Sequence, residues 1–148
     1  MRLGRVTLAM TLLVLLGFTG SRPQNLGVKD GVLAACPNSP NCVSTQAKDA
    51  RHTIAPLTYA TSKEQAIQRL TDIIRTLPRT RIVTSTADYL HVEFTSALFR
   101  FVDDVEFLFD DAAKTIHFRS ASRLGYSDLG VNRKRMEDIR RRFQAVTG

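Results

Sequence analysis

Residues 103–121 read DDVEFLFDDAAKTIHFRSA, and this stretch decides the fold. Residues 103–109 alternate valine and phenylalanine with acidic residues, which predicts a strand with one apolar face. Residues 110–113 carry two aspartates and two alanines and predict a turn, after which the alternation returns from Thr115 to Ala121. The stretch therefore predicts two antiparallel strands joined by a tight turn.

The residues before this stretch extend the same pattern. Residues 81–85 (RIVTS) are rich in β-branched side chains, Ala87-Asp88 predicts a turn, and residues 90–94 alternate apolar with polar side chains. Together with residues 103–121, they predict an antiparallel meander of about four strands with one apolar face.

Two amphipathic helices flank the meander. Ser62 and Gln65 form a capping box that starts the first helix, and Pro78 ends its apolar pattern. A second helix is predicted from about Val131 to Val146. Two such helices and a sheet with one apolar face bury their hydrophobic sides most simply as two layers. We therefore expect an α+β fold with both helices packed on one face of the sheet and an extended N-terminal arm.

The beginning of the chain has the pattern of an export signal. Two arginines precede an uncharged run from Val6 to Phe18, and small residues follow it. This run is shorter than the ~20 residues that a membrane-spanning helix needs, so we expect residues 1–21 to be a signal peptide or, if uncleaved, an N-terminal anchor. Residues 22–60 would then form the arm and residues 61–148 the α+β domain. Localisation is expected to be periplasmic or secreted, with retention at the membrane as the alternative. Phe18 stands where a lipidated cysteine would be needed.

Cys36 and Cys42 lie close together around a turn-forming segment with two prolines. In an exported protein this spacing favours a local disulfide. A redox pair or a metal site is the alternative. However, five residues separate the cysteines, and His52, His91 and His117 have no recognisable ligand spacing. We expect no metal and no cofactor.

Composition and charge narrow the function classes. Hydrophobic residues make up 43% and charged residues 24%, which argues against a disordered chain and a polytopic membrane protein. Without Arg2 and Arg5 of the signal, the chain has 19 basic and 14 acidic residues. An exported protein with this modest excess is not expected to bind nucleic acid. Anionic lipid head groups or envelope polymers suit it better, although solubility alone could explain the charge.

The strongest candidate site is the corner formed by residues 119–133, where a strand, a glycine-containing loop and a helix start follow each other. Free N–H groups at a helix N-terminus, together with nearby arginines, favour phosphate or carboxylate. In the alternative interpretation, Asp128 and Asn132 cap the helix and the arginines pair with nearby acidic residues. The candidate ligand-binding residues are Arg100, Asp104, Glu106, Arg119, Ser122, Arg123, Asp128, Asn132 and Arg133.

A second candidate is the polar face of the sheet. Period-two alternation places six polar residues on one side, and histidine facing carboxylates could bind a metal or perform acid–base chemistry. Solvated cross-strand charge pairs are the commoner arrangement, and we expect them here. These residues are His91, Glu93, Asp104, Glu106, His117 and Arg119. Asp103 should point away from Asp104, so the two should not form a catalytic pair.

The basic run in the last helix, from Arg133 to Arg142, could contact an anionic membrane, but we expect a solvated outer face because Glu137 and Asp138 interrupt it. No nucleophile motif is present, so no catalytic residue is assigned.

Three separated motifs resemble one known family. They are CPNSPNCVS at 36–44, FTS at 94–96 with FRFVDDVE at 99–106, and RSASR at 119–123 running to Asn132-Arg133. The chain resembles the domain of unknown function 1499 family from about residue 35 to the C-terminus. The resemblance implies no biochemical activity, but it implies frequent export or membrane association. The motif residues are Cys36, Cys42, Arg100, Asp103, Asp104, Glu106, Arg119, Ser120, Ser122, Arg123, Tyr126, Asp128, Asn132 and Arg133.

These observations lead to three hypotheses. The first is a non-enzymatic envelope protein that binds a small anionic ligand or a protein partner at residues 119–133. The second is an enzyme that uses the Asp/Glu/Arg cluster, and the third is a structural subunit of an envelope assembly. The sequence leaves the oligomeric state open.

Overall fold

The structure, a computed structural model, describes residues 19–145. Most of the predicted signal or anchor, residues 1–18, lies outside the described residues, as does the end predicted for the last helix at Val146. The described part is an α+β fold with two helices and eight strands. The helices are α1 (Lys63–Thr76) and α2 (Val131–Gln144). The strands are β1 (Val28–Lys29), β2 (Val32–Leu33), β3 (Cys42–Ser44), β4 (Leu57–Thr58), β5 (Thr80–Ser85), β6 (Tyr89–Thr95), β7 (Val102–Asp110) and β8 (Thr115–Ser122).

Six of the strands form one antiparallel sheet in the order β3, β8, β7, β6, β5, with β4 pairing further along β8. Strands β5 to β8 are the predicted meander. The prediction of about four strands was wrong because β1 to β4 lie in residues 22–60, where no strand was expected. Each of these strands has only two or three residues, too few to show a period of two.

Helix α1 begins and ends as the sequence predicts. The backbone N–H of Gln65 donates to Ser62 Oγ at 3.2 Å, and the Ser62 N–H donates back to Gln65 Oε1 at 3.3 Å. The helix ends at Thr76, and Leu77 before Pro78 is extended, because a residue preceding proline avoids the helical region.

The hydrophobic core lies on one face of the sheet. Val92, Val105 and Phe118 are fully buried there, together with Leu70 of α1 and Ile139 of α2. Packing of both helices against this face leaves most charged side chains of the central strands on the opposite face, with Asp103 as an exception. The register of the strands therefore decides where the candidate site lies.

A disulfide joins Cys36 to Cys42, as the sequence predicts. Its second cysteine, Cys42, is the first residue of β3 and pairs with Ala121 of β8. Within the closed loop, Asn41 donates from Nδ2 to the carbonyl of Gly125 at 2.6 Å and accepts at its own carbonyl from Asn132 Nδ2 at 3.2 Å. The disulfide thus fixes a segment that holds the β8–α2 loop.

We expect the double substitution Cys36→Ser and Cys42→Ser to lower the free energy of unfolding by about 2 kcal/mol, since it removes the closure of a short loop. Urea unfolding measures this change. Hydrogen exchange should also become faster around Gly125, while α1 stays protected. If exchange near Gly125 is unchanged, the disulfide does not control that loop.

Candidate functional site

The polar face of the sheet carries a cluster of charged side chains that are buried. We call it the buried charge network; its core residues are His91, Glu93, Asp104, Glu106, Arg119 and Arg123. The register places His91 opposite Glu106, Glu93 opposite Asp104, and Glu106 opposite Arg119, so they share one face as predicted. His117 lies at the rim, where its Nδ1 is 3.3 Å from Thr45 Oγ1.

The expectation that this face is solvated was wrong, because the N-terminal arm covers it. Arg22 of the arm binds Glu93, with Nη2 2.6 Å from Oε1. Further along, the backbone N–H of Gly27 donates to Glu106 Oε1 at 2.7 Å. Asp104 and Glu106 are at most 1% exposed as a result. The sequence could not reveal this, since the arm has no period that orients it.

Glu93 receives three arginines. Arg123 Nη2 lies 2.5 Å from Oε1, and Arg81 of the edge strand β5 donates from Nη2 to Oε2 at 2.7 Å, in addition to Arg22. Burial alone would raise the pKa of the Glu93 carboxyl, but hydrogen bonds from the three arginines outweigh it and lower the pKa to about 2. Glu93 is therefore an anion at neutral pH that links the arm, β5 and the start of the β8–α2 loop.

Asp104 joins a histidine and an arginine in the middle of the network. Its Oδ1 lies 2.8 Å from His91 Nε2, and Arg123 Nε donates to its Oδ2 at 2.7 Å. Burial acts to raise the pKa of Asp104, but the hydrogen bonds from Arg123 and His91 lower it on balance. The carboxylates of Asp104 and Glu93 raise the pKa of Arg123 above its usual value, and the hydrogen bond to Asp104 is the largest cause. The alternative interpretation, in which the arginines of residues 119–133 pair with acidic residues, describes what Arg123 does here.

Glu106 and Arg119 form the loosest part of the network. Arg119 Nη1 is 3.6 Å from Glu106 Oε2, while Tyr89 donates its hydroxyl to Oε1 at 2.8 Å. Burial lowers the pKa of Arg119, and burial, followed by the hydrogen bond to Glu106, raises that of Tyr89. Among residues 19–145, Glu106 Oε2 and Arg119 Nε are buried without a hydrogen-bond partner.

A separate polar cluster lies on the helix face of the sheet. Arg135 of α2 donates from Nη2 to Asp103 Oδ2 at 2.5 Å and from Nη1 to Asn132 Oδ1 at 2.8 Å. Asn132 also accepts from Ser120 Oγ and donates to Ser122 Oγ at 3.0 Å. Asp103 and Asp104 therefore point to opposite faces, as expected, and have different arginine partners.

The N-terminus of α2 is bound by a carboxylate of the chain itself. Asp128 Oδ2 accepts from the backbone N–H of Asn132 at 2.9 Å, and Oδ1 accepts from that of Gly130 at 2.9 Å. This is the capping role that the alternative interpretation gave to Asp128. Arg123 lies on the other face of the sheet, bound to Asp104, and Arg133 donates to the backbone carbonyls of Arg51 and Thr53.

The predicted solvated outer face of α2 is only partly observed. Arg135 and Arg140 bind inward: Arg140 donates to the carbonyl of Pro56 at 2.7 Å and to that of Ala55. Arg141 and Arg142 pair with Asp138 at the surface. Arg140 thus attaches α2 to the segment before β4, whereas Arg135 attaches it to Asp103 of β7.

Arg100 differs from the other candidate residues. It is exposed in the β6–β7 loop and makes no hydrogen bond or ion pair within residues 19–145. That loop, residues 96–101, and the β8–α2 loop, residues 123–130, leave the sheet at the same end, since the Arg123 N–H donates to the carbonyl of Val102 at 3.1 Å. We call these two loops the loop end.

The structure thus distributes the nine candidate residues over two clusters and two separate positions. Asp104, Glu106, Arg119 and Arg123 meet in the buried charge network, Ser122, Asp128 and Asn132 meet at the start of α2, and Arg100 and Arg133 are separate. Sequence reasoning missed Arg22, Arg81, Tyr89 and Arg135. A signal existed only for Arg81, which the hairpin of β5 and β6 places opposite Glu93.

The network can hold charges in a dry interior, but it presents no open site. Within the described range, no three His, Cys, Asp or Glu side chains are grouped as a metal ion requires, and no helix is long and apolar enough to cross a membrane.

A family model described as "Protein of unknown function (DUF1499)" matches residues 32–143. No curated protein and no solved structure matches the chain. The matched range includes both polar clusters and the loop end, but omits Arg22 and Gly27 of the arm.

Proposed function

The chain belongs to the family described as "Protein of unknown function (DUF1499)", and we propose that it is an exported protein of the cell envelope that acts by binding at its loop end, without catalysis. The observation that carries this proposal is the pairing of Glu93, Asp104 and Arg123 beneath the arm. Charges that are already matched and shielded from water are poorly placed to meet a substrate.

Two features support export. The disulfide between Cys36 and Cys42 is of the kind that persists in oxidising compartments. The uncharged run from Val6 to Phe18 after two arginines supports passage through the export machinery.

The geometry favours a partner surface over a small anion. A small anion at the start of α2 would have to displace Asp128, which already accepts from two backbone N–H groups there. Arg123 and Arg133 are likewise engaged with acceptors of the chain itself. Exposed side chains that the fold does not use remain for binding, and the loop end supplies them in Leu98, Phe99 and Leu129.

Trapping of thiols in living cells tests this proposal. The full chain is expressed in a bacterial host, and its cysteines are alkylated as the cells are lysed. We expect Cys36 and Cys42 to be unreactive, and to become reactive when Leu12→Arg and Leu13→Arg interrupt the apolar run. Equal reactivity of the two forms would contradict export. In a parallel thermal-shift assay we expect millimolar phosphate to leave Tm unchanged, whereas stabilisation would favour the small-anion hypothesis.

An enzyme remains the second candidate because, in the described part of the chain, Glu106 Oε2 and Arg119 Nε are buried without hydrogen-bond partners. Unsatisfied buried polar atoms cost free energy and are sometimes retained for chemistry. Catalysis there would require the arm to leave the polar face. Asp104→Asn separates this candidate from a structural role, as argued in the Discussion.

A further inference from the structure

We infer that the loop end docks onto an anionic lipid bilayer, with its apolar side chains entering the interface and its arginines meeting the head groups. This inference rests on the proposed export and names the partner of the loop end.

Large apolar side chains are exposed at the loop end. In the β6–β7 loop, Leu98 is 79% exposed and Phe99 63%; in the β8–α2 loop, Tyr126 is 69% exposed and Leu129 94%. Phe101 and Leu124 are exposed as well. They are the chain neighbours of Val102 and Arg123, whose hydrogen bond joins the two loops. Apolar side chains gathered at one end of a domain mark an interaction surface, whereas scattered ones do not.

Arg100 has a backbone conformation that suits a loop tip under strain. Its φ is 59°, in the left-handed region that a residue with a β-carbon seldom occupies. The flanking Phe99 and Phe101 rings stack at 5.7 Å between centroids. The loop closes through the Ser96 N–H, which donates to the carbonyl of Phe101 at 2.8 Å. A strained residue at a loop tip that presents two phenylalanines and a free guanidinium is a feature that function can explain.

The loop end also carries positive charge. Arg79, in the turn between α1 and β5, donates to the carbonyl of Thr95, where β6 enters the loop. Arg79 and Arg100 therefore lie at the same end as the apolar side chains. Arginines around an apolar tip match a bilayer with anionic head groups, while tyrosine and phenylalanine suit the boundary between head groups and acyl chains.

The position of the first described residues favours a bilayer over a protein partner or a second copy. The described chain begins beside the loop end: a β-carbon placed on Gly20 would lie 3.0 Å from Leu124 Cγ and 3.2 Å from Arg123 Cβ. The uncharged run Val6 to Phe18 thus joins the domain at the surface that carries the exposed apolar residues. An apolar segment bound to a membrane would bring this end, and no other, against the lipid.

The apolar run and the loop end would together attach the chain more firmly than either alone. The run is shorter than the ~20 residues that span a bilayer, and stable attachment generally needs two membrane signals. The loop end supplies the second signal. Its loops are also held in place, since Asn41 binds the carbonyl of Gly125 and Asp128 binds the start of α2.

The chain contains no tryptophan, so one introduced residue reports its own surroundings. Phe99→Trp in the full, oxidised chain is mixed with vesicles of phosphatidylcholine and phosphatidylglycerol, some of them brominated. We expect its emission to shift to the blue and brominated lipid to quench most of it, with a weaker response on phosphatidylcholine alone. The matched control is Ala112→Trp, exposed in the β7–β8 turn at the opposite end, which should stay unquenched.

The inference is overturned if Phe99→Trp is unchanged by both kinds of vesicle, or if Ala112→Trp is quenched equally. A blue shift without vesicles, together with a dimer on gel filtration, would assign the surface to a second copy. Because purified protein is used, a negative result here leaves the thiol-trapping result intact, and the two proposals fail separately.

A second variant avoids the folding problem that substitutions can bring. Arg100→Gly relieves the positive φ and should leave Tm unchanged or higher, yet it should weaken binding to the anionic vesicles. Unaltered binding by Arg100→Gly would remove the arginine from the docking surface.

Discussion

Asp104→Asn is expected to lower the free energy of unfolding by about 3–5 kcal/mol, because it leaves buried partners without their counter-charge. Asp104 is 1% exposed and accepts hydrogen bonds from both nitrogens that Arg123 directs at it, as well as facing His91. An asparagine keeps the shape but loses the charge and presents a donor to Arg123. Urea unfolding at neutral pH measures the effect.

The matched control is Asp72→Asn, the same chemical change on the exposed face of α1. Asp72 accepts from Gln68 at 2.9 Å and lies 3.6 Å from Arg75, and an exposed pair of this kind contributes under about 1 kcal/mol. If Asp104→Asn costs no more than this control, the network is not structural. The enzyme hypothesis then gains, since a catalytic carboxylate can be replaced without loss of stability.

Acidification should lower the free energy of unfolding of the natural chain, because Glu93 loses its charge. Its pKa is about 2 in the folded chain and 4.5 when unperturbed, so the unfolded state binds a proton first as pH falls. The stabilisation is complete above about pH 5 and is lost as pH falls towards about 2; at about 1.4 kcal/mol per pKa unit it amounts to roughly 3 kcal/mol. The lowered pKa of Asp104 adds a loss of the same sign.

Denaturant titrations at a series of pH values measure this loss. Glu93→Gln, which cannot titrate, should be less stable than the natural chain at neutral pH and should approach it at low pH. Parallel curves for the two proteins would show that Glu93 does not contribute to the acid sensitivity.

The parts of the fold that the sequence predicted are those with local signals. Ser62 and Gln65 define the start of α1 by their own spacing, and the alternation from Asp103 to Ala121 defines β7 and β8 together with the face that each side chain takes. The family resemblance was also correct, and the match to residues 32–143 confirms it. Such signals need no knowledge of distant contacts.

The candidate site could be predicted only in part because its decisive contacts are distant in sequence. Alternation placed Glu93 and Asp104 on one face, but nothing local indicated that Arg22 would cover them. The charge pattern groups Arg135 with the basic run of α2, although its side chain binds Asp103 on the core side of the sheet. Alternation along a strand shows which face of the sheet a side chain takes. It does not show what covers that face, because the arm that covers it has no such pattern.

The N-terminal arm has a consequence for the order of events during synthesis and transport. Arg22 binds Glu93, which lies 71 residues later in the chain. Gly27 likewise binds Glu106, and Asn41 binds Gly125. The first segment to emerge is thus among the last to find its partners, while the disulfide between residues 36 and 42 needs only its own loop. In the export that we propose, this order would let the chain cross a membrane before its sheet closes, and its charges would become buried only after the whole chain has crossed.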